Sequence, residues 1–390
     1  MIGVRKWKSR NAWTSPPLLE DETRLPAEVE SRLDRGWNDF EAVAQPTVVQ
    51  MDAFLSDLLS LAPETTAWGD VLNRFAQLDH PDLPGVFRRI AAEVPHTKAS
   101  GMAFFYWEAA EEFTRKRAAH LLPEVAAGFR RLNVDSYDAD ALTHVEDFLL
   151  VAGLDAETLQ LAEHFLPTER ADDGLMDFAV PQRCSLIFEL RVGQALRAGP
   201  SAMGSPDTLA QQLRSNIEEE IHEDTARLAA EIVVGAKSDV PWERPEFDLV
   251  TGDISKDATA WKDCVRLFGT LLRVARETWL LDARSPGCAL RGLDLLLNSV
   301  YDWKEQRGRK SKTSRNNLLD YLDPTGLESR IVQSSRAMIG MNVPRTRLLL
   351  QAHEFLAHCA ARHQLITSAA FAQTEEALSR IRRKLEQQSG

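Results

Sequence analysis

Apolar residues recur along this chain at spacings of three and four, the period at which side chains return to one face of an α-helix. Val29, Leu33, Trp37, Phe40 and Ala44 keep that spacing until Pro46 stops the helix. Val48, Met51, Leu55, Leu58 and Leu59 carry it on to Pro63, and Phe104, Trp107, Ala110, Phe113 and Ala118 do so before Pro123. Leu142, Val145, Leu149 and Ala152 mark a further helix, with Gly153 placed to cap its C-terminus. A last helix is predicted from near Thr374, where Glu375 and Glu376 suit an N-terminal end. Its narrow stripe of Ala377, Ile381 and Leu385 suits a cap sealed onto the domain better than a partner helix. Strand-like alternation is nearly missing; Phe247 to Thr251 is a short and isolated exception. The expected fold class is all-α.

A faint repeat runs through the first half. Leu83-Pro84, Leu122-Pro123 and Leu166-Pro167 lie 39 and 44 residues apart, and His120-Leu121-Leu122-Pro123 resembles His164-Phe165-Leu166-Pro167. A period near 40 suits stacked helical hairpins, since one hairpin cannot cover its own apolar faces. The bland alternative is Leu-Pro recurring at helix boundaries by chance. The expected organisation is an irregular arm over 1–26, a solenoid-like hairpin array over 27–198 and a linker at 199–206. A second helical sub-domain follows over 207–390, with loops at 237–257 and 304–316. The linker is rich in Gly, Pro and Ser and leads to Asp207 or Thr208 as an N-cap.

Composition narrows the function classes. The 390 residues are 44% apolar and 27% charged, as in soluble globular chains. The net charge of −12 argues against a whole surface that wraps nucleic acid. Four scattered cysteines, Cys184, Cys264, Cys288 and Cys359, form no C-x-x-C pair and read as buried small hydrophobes. The basic start of the chain lacks the apolar run of a signal peptide, and no apolar stretch reaches membrane-spanning length. A cytoplasmic protein with no membrane partner and no cofactor is expected.

Three constellations carry candidate chemistry. Glu218, Glu219 and His222 supply a Glu-x-x-His pair, which on a helix places both ligands on one face and suits a helical metal-dependent oxidase. A second such pair is missing, because Pro95 interrupts Glu93-Val94-Pro95-His96. His353, His358 and His363 are five apart, so they diverge around a helix and lack the zinc-protease spacing. The most biased window is 304–315, with Lys304, Arg307, Arg309, Lys310, Lys312 and Arg315 following Trp303. Such a segment can hold a phosphate backbone or an acidic protein surface, though charge runs are commonly just solvated. Nucleophile-elbow, dinucleotide-binding and EF-hand patterns are missing.

Nine tryptophans include Trp37, Trp107 and Trp279 in helical patterns, which reads as core, and Trp7, Trp13 and Trp242 in irregular segments that suit interface anchors. The sequence therefore favours a non-enzymatic interaction or adaptor protein that presents a helical surface to a protein or peptide. Nucleic-acid association through 304–315 and the metal-dependent oxidase are the alternatives.

Overall fold

The structure is a computed structural model that describes residues 27–43, 47–61, 68–78, 82–97, 100–133, 138–171, 179–199, 204–235, 258–276, 285–308, 322–324, 326–334, 336–337, 340–341 and 343–389. Among these residues the chain forms sixteen α-helices and one antiparallel pair of two-residue strands, Arg336–Ala337 with Gly340–Met341. The fold is all-α. By contacts the described residues divide into two compact units. The first takes those within Met1–Ala109 and Arg131–Asp138, and the second those within Ala110–Arg130 and Ala139–Gly390.

The first unit is built from α1 (Ala27–Glu41), α2 (Val48–Leu61), α3 (Trp68–Gln77), α4 (Leu83–Glu93) and the start of α5 (Met102–Arg115). The apolar stripes of α1 to α3 converge on an aromatic knot. Phe54 lies 4.7 Å from both Trp37 and Phe40, ring centre to ring centre, and Phe75 lies 5.2 Å from Trp37. The Arg74 guanidinium covers the Trp37 ring at 5.1 Å. Pro84 sits in the first turn of α4, where its missing N–H is harmless. Pro95 forces Val94 into an extended conformation and so ends the same helix. On α5 the expected stripe is buried at Trp107, Ala110 and Phe113 but not at its first residue. Phe105 and Tyr106 are fully buried, while Phe104 is 39% exposed.

The second unit contains α6 (Leu122–Phe129), α7 (Ala139–Val151), α8 (Asp155–Ala171), α9 (Ala179–Ala198), α10 (Pro206–Arg214), α11 (Glu223–Val234), α12 (Ala258–Ala275), α13 (Pro286–Gly308), α14 (Leu327–Ser334), α15 (Val343–Arg362) and α16 (Ser368–Ser389). One apolar core links α7 through α16. Gly153 caps α7 as expected. Its φ is +80°, its N–H donates to Leu150, and the Leu154 N–H donates to Leu149, both at 2.9 Å. Helix α13 packs against both α9 and α15. A Cβ at Gly193 would stand 2.9 Å from the Gly287 nitrogen, and one at Gly292 would stand 2.7 Å from the Leu348 carbonyl oxygen.

Several expectations are revised. Leu83-Pro84 and Leu122-Pro123 do open helices, but Pro167 lies inside α8. The third copy of the repeat is therefore not equivalent to the other two, and regular hairpin stacking is not established. Residues 199–206 join α9 to α10, which share one core. Helix α10 is capped by Ser205, whose hydroxyl accepts the Thr208 N–H at 3.2 Å, instead of by Asp207 or Thr208. Helix α16 begins at Ser368, with the Thr367 hydroxyl accepting the Ala370 N–H. Thr374 lies within it, buried, and its hydroxyl donates to the Leu322 carbonyl at 3.1 Å. The stripe of Ala377, Leu378, Ile381 and Leu385 is buried, and α16 packs on α14 and α15 as a cap does. The loop segments 237–257 and 309–316, the strand candidate at 247–251, and Trp7, Trp13, Trp242 and Trp279 lie outside the described residues.

Candidate functional site

The expected metal pair is not assembled. Helix α10 ends at Arg214 as Ser215 leaves the helical conformation with ψ at 124°, and the left-handed Asn216, φ 66°, leads residues 217–221 into an irregular corner. Glu219 and His222 therefore do not share a helix face. His222 is the N-cap of α11, its Nδ1 accepting the Asp224 N–H at 3.2 Å. Glu218 accepts the Asn216 N–H at 3.1 Å, and both side chains are exposed. Among the described residues no group of three or more His, Cys, Asp or Glu is disposed to hold a metal ion.

The basic window is partly helical. Trp303, Lys304 and Arg307 belong to the last turns of α13, so the helix runs on past 304, where the loop was expected to begin, and only their backbone is described. Arg309, Lys310, Lys312 and Arg315 lie outside the described residues.

His353 and His358 lie on α15 and diverge as their spacing predicts, and His363 follows the end of that helix. His353 is buried and its Nδ1 donates to the Leu349 carbonyl at 2.7 Å. His358 is exposed and reaches Glu375 at 3.5 Å. Burial holds His353 near pKa 4, so its ring is neutral.

What the sequence did not announce is a buried ionic network inside the second unit. Helix α7 is buried over 144–150 and carries His144, Glu146 and Asp147 inward. Arg183 of α9 bridges two helices. Its Nε and one terminal nitrogen grip Glu169 of α8 at 3.0 and 2.8 Å, and the other terminal nitrogen contacts Glu146. Arg345 of α15 donates to Asp147 at 3.2 Å. Arg291 of α13 donates to Asp294 at 3.0 Å and lies 3.8 Å from Glu189 of α9. Asp155 of α8 receives the Ser285 hydroxyl and the Gly287 N–H.

Burial sets the protonation of this network. It raises Glu146 to about 7, with the Arg183 charge pulling the other way, and it lifts Glu189 well above the usual carboxylate range. The same effect lowers His144 to about 4 and raises Cys184 and Cys359 to about 11 and Cys288 to about 12. Arg291 keeps its charge, because the carboxylates around it outweigh its own burial. The three thiols are free and buried, as their scattering suggested. At neutral pH they are protonated and the two buried imidazoles are uncharged, so none of them is poised as a nucleophile or an acid.

No protein-family model, no curated protein and no solved structure matches this chain.

Proposed function

We propose that this chain is a non-enzymatic interaction protein that offers a helical surface to a protein or peptide partner. The observation that carries this reading is the mutual engagement of the buried ionisable groups. Arg183 holds two carboxylates, Arg345 a third and Arg291 a fourth, and a helix terminus takes Asp155. Ion pairs that tie α7, α8, α9, α13 and α15 together fix the packing of helices and leave the surface for recognition. Large apolar side chains do reach that surface in the first unit. Val48 is 47% exposed, Val49 77% and Phe104 39%.

Photo-crosslinking residues placed one at a time at Val49, Phe104 and Glu219 test the reading in the cells that make the protein. A discrete protein adduct at Val49 or Phe104, missing at Glu219, is expected. Turnover of a small molecule by the purified protein, abolished by Glu146→Gln, would replace this reading with an enzymatic one.

A further inference from the structure

The first unit holds a polarised chain of three side chains that the interaction reading does not use. Tyr106, buried on α5, places its hydroxyl 2.7 Å from Nε2 of His96, in the turn after α4. Arg131 begins the segment that returns to this unit, and one of its terminal nitrogens donates to the Tyr106 hydroxyl at 3.1 Å and to the Ala91 carbonyl at 2.8 Å. A guanidinium only donates, so the tyrosine oxygen accepts there and directs its own proton to the imidazole. The ring also hydrogen-bonds the Val94 carbonyl, which only accepts. The neutral ring therefore carries its proton on that side and offers Nε2 to the tyrosine.

We propose that this chain of bonds is an acid-sensitive clasp, in which neutral His96 fixes Tyr106 and Arg131 and protonated His96 releases Arg131. The reason is one of donors and charges. On protonation Nε2 becomes a donor aimed at the oxygen that Arg131 already donates to. A second positive charge then stands beside the guanidinium, and the imidazole can no longer receive the tyrosine proton. Among the described residues, Tyr106 from α5 and Arg131 from the segment after α6 are the titratable and charged groups facing the ring. On its own side of the chain, Glu93 is engaged by Arg89 at 3.3 Å. His96 is half-buried, so protons reach it without unfolding. Burial, and then the nearness of Arg131, hold it below its ordinary range. The clasp is closed at neutral pH, and its contribution is lost as the pH falls below the value of an unfolded histidine, about 6.5.

Hydrogen exchange of the full chain at about pH 7.5 and about pH 5, corrected for intrinsic chemistry, tests this. The amides of Tyr106 and Leu132 should exchange about tenfold faster at the acid pH in the unaltered protein. His96→Gln keeps an acceptor for the hydroxyl and cannot titrate, so its corrected rates should match at both pH values. Tyr106→Phe should exchange fast at both. Equal corrected rates in the unaltered protein, or acid acceleration that survives His96→Gln, overturn the proposal. If that variant does not fold, NMR titration of His96 in the unaltered protein decides. A midpoint that tracks the acceleration supports the clasp, and an imidazole that titrates with no acceleration overturns it.

Discussion

The Asp155 carboxylate accepts the backbone N–H of Gly287 at 3.0 Å across 132 residues of chain, and so seats the start of α8 on the start of α13. The neighbouring Ser285 hydroxyl donates to the same carboxylate and accepts the Cys288 N–H at 3.0 Å. Two orphan amides of the first turn of α13 are thus satisfied, and a buried negative charge meets the positive end of the helix dipole. Gly287 is what allows the approach, since a Cβ there would stand 2.9 Å from the Asp155 carboxyl carbon and 2.7 Å from Leu190. Asp155→Ala should lower stability by about 3 kcal/mol, because charge-assisted bonds are lost and buried donors are stranded. Asp155→Asn keeps one acceptor and should lose roughly half as much. Urea denaturation followed by helical circular dichroism measures both, and equal losses would remove the role given to the charge.

A second prediction concerns the two close crossings of α13. At Gly193 and Gly292 the obstacle to a Cβ is backbone, which cannot rotate aside. Gly193→Ala and Gly292→Ala should therefore each destabilise the protein by about 1–3 kcal/mol, against the usual gain from Gly→Ala inside a helix. A rise in the denaturation midpoint of either variant would show that these helices are not held at contact distance.

Arg183 supports a third. Removing it leaves Glu146 and Glu169 buried without the donors and the positive charge that hold them. Arg183→Met should cost about 3–5 kcal/mol, and replacing all three residues with apolar ones of similar volume should recover most of that. Recovery by the triple variant, read in the same denaturation assay, separates a stranded charge from lost packing volume.

These relationships also mark how far the sequence was legible. Periodicity located α1, α2 and α7, and the buried Trp37 and Trp107 lie where helical spacing put them, because both signals are local. The ionic network was illegible because its partners are remote; Arg183 and Glu146 sit on different helices, and neither belongs to a short motif. One signal was present on α7. Glu146 lies beside Val145 and four residues after Leu142, on the apolar stripe itself, and a charge at such a position asks for a buried partner. The Glu219 and His222 pair failed for a local reason that the spacing hides. Ser215 and the left-handed Asn216 turn the chain out of the helix before the pair begins.

Glu146 gives a prediction of pH dependence whose sign is fixed by burial. Its pKa is raised from 4.5 to about 7, chiefly by loss of water around the carboxyl. The folded state therefore holds a proton that the unfolded chain gives up between those values. The contribution is fully present below about pH 4.5, is lost as the pH rises to about 7, and is on the order of 3 kcal/mol at most. His144 and His353, lowered to about 4, work in the opposite sense, since acid favours the unfolded chain below about pH 6.5. The total slope mixes these terms, so the difference between the unaltered protein and Glu146→Gln is the quantity to measure. Denaturation at about pH 5 and about pH 8 should show the unaltered protein gaining on the variant at the lower pH. A difference that is flat with pH, or that grows toward alkaline pH, would mean that Glu146 is ionised in the core and held as an ordinary ion pair with Arg183.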